Sequence, residues 1–282
     1  MRVPGGLVLW LTAPVAGFAP SIQSRTERPA LSAFYEGGDP SDYDPTEIEG
    51  EKHATVDENE EDAIIRDALK RELLLLSSIT NRGEFASKDE QNIVIDLVSQ
   101  LEALNPTPNP AENSQGEWDL ALSSTQFFRS SPFFQSIRMA LNDPKMAENV
   151  FDIHDRATTA SRIGRVRQTI TNDSLESDVD LEVGVVPGLP FRVKGTVVTT
   201  AALKVTSPDM WELQVESTQV KGSNVPILNQ FMDDLKLELP VSTAYQTLTG
   251  DVPKIPVKTY YIDEGLRISR DVDDNFFVWT RA

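Results

Sequence analysis

Apolar residues recur every three to four positions in two early stretches of the chain, and at every second position afterwards. The first stretch, 63–80, uses strong helix formers with Ile64, Ala68, Leu75 and Ile79 in its apolar set. It runs out at "NRG", where Gly83 suits the left-handed position after a helix. The second begins at "SKDE": Ser87 can cap the helix, and Glu90 can return a bond to the cap backbone. Its apolar face is Ile93, Val94, Leu97, Val98, Leu101 and Leu104. "NPTPNP" then stops it, because proline lacks a backbone donor and restrains its predecessor.

From Gly116 the period is two, the mark of half-buried strands. "WDLALS" points Trp118, Leu120 and Leu122 one way. "IGRVRQTI" does so with Val166, Gln168 and Ile170, and "DVDLEVGV" with Val179, Leu181, Val183 and Val185. "FRVKGTV" sets Phe191, Val193 and Val197 against Arg192 and Lys194, with Gly195 a candidate bend or bulge. "WELQVES" sets Trp211, Leu213 and Val215 against Glu212, Gln214 and Glu216. Between the first two strands, "SSPFFQSIRMAL" reads as a short helix or lid with Phe133, Phe134, Ile137 and Leu141 along one side. "IPVKTYYIDEGLRISRDVDDNFFVWTR" reads as a closing hairpin, with "DVDDN" supplying turn residues. Repeated strands with one apolar and one charged face require an antiparallel sandwich or barrel. The expected class is α+β, an antiparallel β-barrel capped by N-terminal amphipathic helices.

Composition narrows this picture. The chain has 282 residues, 39% of them hydrophobic, and a net charge of −18. Such acidity argues against nucleic-acid binding and polybasic membrane attachment, so contact with lipid would be apolar and local. There is no cysteine, which removes disulfides, thiolate metal sites and thiol nucleophiles. The two histidines, His53 and His154, are far apart in the chain, and no metal or cofactor site is expected. Residues 1–17 read as a signal peptide with Arg2 ahead of a short apolar run. Residues 18–35 open with Phe-Ala-Pro and are rich in Ser and Arg, so the two together resemble the bipartite plastid presequence of algae with secondary red-lineage plastids. Residues 36–62 read as an acidic disordered linker and 63–282 as the folded domain.

No phosphate loop and no nucleophile–histidine pair is evident. Asp178, Asp180 and Glu182 read as a solvated strand face, and Asp263, Glu264, Arg267 and Arg270 as a structural ion-pair network. The alternative chemistry is a cavity, because a closed barrel of about eight strands can enclose one small apolar ligand. The cavity-wall candidates are Leu120, Leu122, Phe133, Phe134, Phe191, Val193, Trp211 and Leu213. Gly116-Glu117-Trp118 is similar to the lipocalin signature, in which an arginine from a late strand covers the indole and closes the barrel. Arg267, Arg270 or Arg281 could supply that cover, and Trp118 reads as a fold-critical plug rather than a binding residue.

The run from "LLLLSSITNRGEFASKDEQ" to "GEWDLALSST" resembles the opening of the fibrillins, or plastid lipid-associated proteins. "TYYIDEGLRISRDVDDNFFVWTR" is similar to their C-terminal motif through Thr259, Tyr260, Asp263, Arg267, Ser269 and Arg270. Leu122-Ser123 departs from the Tyr-Thr of many relatives. The resemblance, over about residues 62–282, implies a lipocalin-like barrel at plastoglobule or thylakoid surfaces. It also implies apolar plastid lipids as partners: carotenoids, prenylquinones or fatty acids. Some members support prenylquinone synthesis without being the catalyst. A scaffold for a biosynthetic or photosynthetic complex is the alternative. An enzyme acting inside the barrel would need Asp263 or Glu182 to point into an apolar cavity.

Overall fold

The computed structural model describes residues 58–141, 143–157, 161–184, 192–222, 238–239 and 241–282. The chain enters through α1 (Glu58–Ile79) and α2 (Lys88–Ala103). The linker expected over 36–62 therefore gives way to helix earlier than its sequence suggests. Glu58, Glu60, Glu61 and Asp62 belong to the start of α1, where acidic residues suit the positive end of the helix dipole. The presequence and the remaining linker lie outside the described residues. At α2 the capping box forms: Ser87 Oγ accepts from the Glu90 N–H at 3.3 Å, and the Glu90 carboxylate accepts from the Ser87 N–H at 2.7 Å.

The strands are β1 (Gly116–Ser123), β2 (Ser161–Ile170), β3 (Ser174–Gly184), β4 (Arg192–Ser207), β5 (Met210–Lys221), β6 (Glu238–Leu239), β7 (Ile255–Ile262), β8 (Leu266–Arg270) and β9 (Phe276–Arg281). Eight of them close into an antiparallel barrel in the order β1-β2-β3-β4-β5-β7-β8-β9, with β9 returning to β1. The two-residue β6 adds to β5 at Thr218 and Gln219. A 3-10 turn (Phe127–Ser130), α3 (Pro132–Leu141) and α4 (Pro144–Ala157) connect β1 to β2, and α5 (Val241–Thr249) precedes β7. The expected closing hairpin is a three-stranded meander, β7-β8-β9. Its second turn is the Asp/Asn-rich one: Asp271 Oδ1 accepts from the N–H groups of Asp273 and Asn275, both at 2.9 Å.

Strand alternation divides the apolar residues between two cores. One fills the barrel and includes Trp118, Leu120, Val166, Leu175, Trp211, Leu213 and Trp279. The other lies between the outer sheet face and the helices, with Leu73, Val94, Leu97, Val98 and Leu101 against Tyr261, Ile268, Phe276 and Val278.

Several expectations are corrected by this division. The β1–β9 register shifts between Leu120 and Leu122, so Leu122 leaves the interior face of Trp118 and Leu120 and packs under the helices. Gly195 opposes Leu181 in unbroken register with β3, and the irregularities of β4 lie instead at Thr200/Ala201 and Val205/Ser207. The expected apolar set of α1 is not its docking face. Leu73 is fully buried, with Leu69, Leu74 and Leu76 beside it, whereas Ile64, Leu75 and Ile79 face outward. Neighbouring Phe133 and Phe134 diverge, as consecutive helical positions must. Phe133 meets the barrel core, and Phe134 joins Phe128, Ala147, Phe151, Ile137 and Leu141 in a third cluster.

Candidate functional site

One end of the barrel is sealed by the segment between α2 and β1. The Ala111 carbonyl accepts the indole N–H of Trp211 and the Ser114 carbonyl that of Trp118, each at 2.9 Å. Next comes Gly116, at a φ of +119° that side chains disfavour. A Cβ there would sit 2.1 Å from Arg281 Nη1, so any side chain would also have to displace the Arg281 guanidinium. The Arg281 guanidinium lies 4.0 Å from the Trp118 ring centroid and donates to the Gln115 carbonyl at 2.7 Å and the Glu264 carbonyl at 3.3 Å. Of the three arginines offered by the sequence, Arg281 is the one that covers the indole from outside.

Arg270 points to the helix side instead. It donates to the Glu102 carboxylate at 2.8 and 2.9 Å and pairs with Asp274 at 3.1 Å, so it does not close the barrel. Asp263 also faces the helices, accepting from Lys70 at 2.8 Å and from the Tyr261 hydroxyl at 2.6 Å. Burial works to raise its pKa but is outweighed by Lys70, Tyr261 and the backbone N–H groups of Gly265 and Leu266, which hold the carboxyl below its usual range. The expected four-residue ion-pair network therefore does not form as a unit. Arg267 is absent from it.

Arg267 points into the barrel. It is fully buried, and its guanidinium lies 5.3 Å from the ring centroids of Trp118 and Trp211 and 5.0 Å from that of Trp279. Trp118 is thus flanked by two cations, Arg281 outside and Arg267 inside. Burial, with the charge of Arg281 second, pulls the Arg267 pKa down to about 9. Its hydrogen-bond partner is Gln168, whose Oε1 accepts from Nη2 at 2.6 Å. The Gln168 amide in turn donates to the Ser130 carbonyl at 3.4 Å. Trp279 donates to Ser269 Oγ at 3.0 Å. Trp279 and Gln168 were missed as site residues by the sequence reading, although period-two alternation in "NFFVWTR" and "IGRVRQTI" was the available signal.

At the other end is a cleft of about 1350 Å³, lined among others by Phe85, Phe127, Phe128, Ile163, Leu181 and Thr196. Arg82 ties the helix pair to its rim. It donates to the carbonyls of Gly164 at 2.7 Å and Ile163 at 3.0 Å, with its guanidinium 4.3 Å from the Phe127 ring centroid. Of the expected wall residues, Leu120, Trp211 and Leu213 lie in the interior core, with Phe133 packed against it. Leu122 and Phe134 do not. Val193 of β4 pairs with Val183 of β3, and Phe191 lies outside the described residues. Among the C-terminal motif residues, Thr259 and Ser269 are buried, and Tyr260 lies 5.9 Å from the Arg270 guanidinium.

A closed antiparallel barrel capped by helices, with a glycine–tryptophan plug under an arginine, defines a lipocalin-like protein. The chain belongs to the family described as PAP_fibrillin, whose model matches residues 67–280. It is 25% identical to probable plastid-lipid-associated protein 2, chloroplastic, of Arabidopsis thaliana, over 77% of this chain and 72% of that relative. It is 24% identical to chromoplast-specific carotenoid-associated protein C1, chromoplastic, of an Oncidium hybrid cultivar, over 77% of this chain and 69% of the relative. Probable plastid-lipid-associated protein 3, chloroplastic, of Arabidopsis thaliana is 29% identical over 72% of this chain and 54% of its own length. No solved structure matches the chain.

Proposed function

We propose that this is a non-catalytic plastid protein that binds or coats apolar lipids, carotenoids, prenylquinones or fatty acids among them, at plastoglobule or thylakoid surfaces. The observation that carries the reading is the outward side of the helix layer. Ile64 is 63% exposed, Leu75 61%, Ile79 63%, and Phe85 at the α1–α2 turn 72%. Such side chains recur along one face of α1, and apolar surface of this kind marks a contact site rather than a solvated face. With a net charge of −18 the contact would be hydrophobic and not electrostatic. The names of the similar proteins support the same reading. The non-catalytic part is supported by the carboxylates an interior enzyme would need. Asp263 engages Lys70 on the helix side, and Glu182 lies 3.5 Å from Lys194.

Flotation tests this directly. Full-length protein mixed with droplets of triolein and plastid galactolipids should rise with them, and replacing Leu75 and Ile79 by serine should leave it in the soluble fraction. If the native chain stays soluble and retains no lipid, the scaffold reading takes its place.

A further inference from the structure

The cleft at the open end of the barrel pairs an apolar floor with a polar rim. Buried Phe127 and Phe128 form part of its lining, with Ile163 and Leu181 beside them. Amides and hydroxyls from separate elements stand around them: Asn81 and Gln91 from the helix pair, Ser124, Thr125 and Gln126 from the loop after β1, and Thr196 from β4. Several are held ready for a ligand. The Thr125 hydroxyl donates to Gln126 Oε1 at 2.8 Å, which leaves the amide hydrogens of Gln126 for another acceptor. The Asn81 amide donates to one oxygen of the exposed Glu84 carboxylate and leaves the other oxygen as an acceptor. Thr196 Oγ1 orients Asp180 in the same way, donating to its Oδ1 at 2.8 Å.

Charge narrows the choice of ligand. Among the described residues, four carboxylates line the cleft, Glu84, Asp155, Asp180 and Glu182, against two cations, Arg162 and Lys194. Lys194 lies 3.5 Å from Glu182, and Arg82 at the rim donates to the Ile163 and Gly164 carbonyls. In a chain of net charge −18, an anionic head group would be repelled from such a rim. A wholly apolar ligand would leave the polar rim unmatched, and a quaternary ammonium offers it no hydrogen bond. A neutral head dense in hydroxyls both donates to the carboxylates and accepts from the amides.

Position says where that head comes from. Phe85, 72% exposed, belongs both to the outward apolar surface of the helix layer and to the cleft lining. A chain resting on lipid through that surface brings the cleft rim to the layer of head groups. We infer that the cleft takes the sugar head of a neutral glycolipid, with the upper part of its acyl chains against Phe127, Phe128, Ile163 and Leu181. At about 1350 Å³ the cleft exceeds the roughly 300–1,000 Å³ of ordinary small-molecule sites, which gives room for head and glycerol together. This rests on the lipid-association reading and adds to it the class of head group.

The test is calorimetric titration of delipidated full-length protein at neutral pH with soluble dioctanoyl lipids that differ only in the head: monogalactosyl diacylglycerol, diacylglycerol, phosphatidylglycerol and phosphatidylcholine, with free galactose beside them. The galactolipid should bind at least about tenfold tighter than the diacylglycerol, the effect of one or two net hydrogen bonds, and tighter than either phospholipid. Galactose alone should bind far more weakly. Gln126→Ala and Glu84→Ala lie outside the packed apolar clusters. Each should weaken galactolipid binding about threefold to tenfold and leave diacylglycerol binding unchanged. If neither variant folds, the head-group comparison on the native chain decides alone. Equal binding of galactolipid and diacylglycerol would overturn the inference while leaving lipid association standing. A phospholipid bound as tightly as the galactolipid would overturn it too, as would folded variants that keep full galactolipid affinity. Galactose binding as tightly as the galactolipid would make the cleft a site for free sugar and reject the lipid source. Failure to bind any of the five, with flotation on droplets retained, rejects the cleft site but not surface coating. Loss of flotation as well rejects both.

Discussion

At the closed end of the barrel a few atoms decide whether it can form. Trp118 has no exposed surface, donates to Ser114 and sits between two guanidinium groups. Trp118→Ala should therefore cost about 3–5 kcal/mol, the range for large cavity-forming core substitutions, read from the urea midpoint. Any loss of ligand should follow that loss of fold. Gly116→Ala places a methyl group against Arg281 at a strained φ and should cost about 1–3 kcal/mol. Asp263 gives a pH signature. Its pKa is lower in the folded chain, so the stability it contributes is present above about pH 4 and is lost as pH falls through the folded value below that. Between about pH 5 and pH 3, Asp263→Asn should lose less stability than the native chain does. An equal loss in both would mean that the Lys70 and Tyr261 bonds do not favour the carboxylate. The Gly-x-Trp was legible because those residue types are each required where they stand. Which arginine covers it was not legible, because Arg267, Arg270 and Arg281 differ only in strand and phase, and phase depends on bulges.

Helices and strands show the same division between pattern and phase. The α2 face could be read because Val94, Leu97, Val98 and Leu101 form one stripe bounded by a cap and a proline stop. α1 carries apolar residues on two faces, and periodicity alone does not say which of them docks. The sheet takes Leu73, Leu69 and Leu76, and the acidic start and Ser77 fix the orientation. The Ser77 hydroxyl donates to the Ala121 carbonyl of β1. α4 has helical spacing of its own in Met146, Ala147, Val150, Phe151 and Ile153, but only Ala147 and Phe151 of these are buried, so it adds a small separate cluster. The two faces of α1 can be separated experimentally. Leu73→Ala should cost about 2–5 kcal/mol in urea unfolding, as for other buried leucines. Leu75→Ala should leave the unfolding midpoint nearly unchanged and reduce droplet flotation. Comparable destabilisation by both would show that the outer stripe packs against protein.

For the whole molecule, the decisive feature is closure between the first and last strands of the barrel. β1 pairs with β9, which also pairs with β8, so one six-residue strand completes the ring. The same strand brings Trp279 to Arg267 and Arg281 to Trp118. Contacts this distant in sequence carry a loop-closure cost before any favourable packing is gained, which makes closure late and slow. Without β9, β1 and β8 would present free edges, and the apolar faces of Leu120 and Ile268 would lose Trp279 and Val278 opposite them. Deleting residues 276–282 should therefore abolish the cooperative thermal transition and the near-ultraviolet circular dichroism of the tryptophans, while leaving the helical far-ultraviolet signal of α1 and α2 partly in place. A truncated chain that still melts in one sharp transition would show that seven strands and the helix layer form a stable core without closure. It would also separate the plug formed by Trp118 and Arg281 from the stability of the barrel.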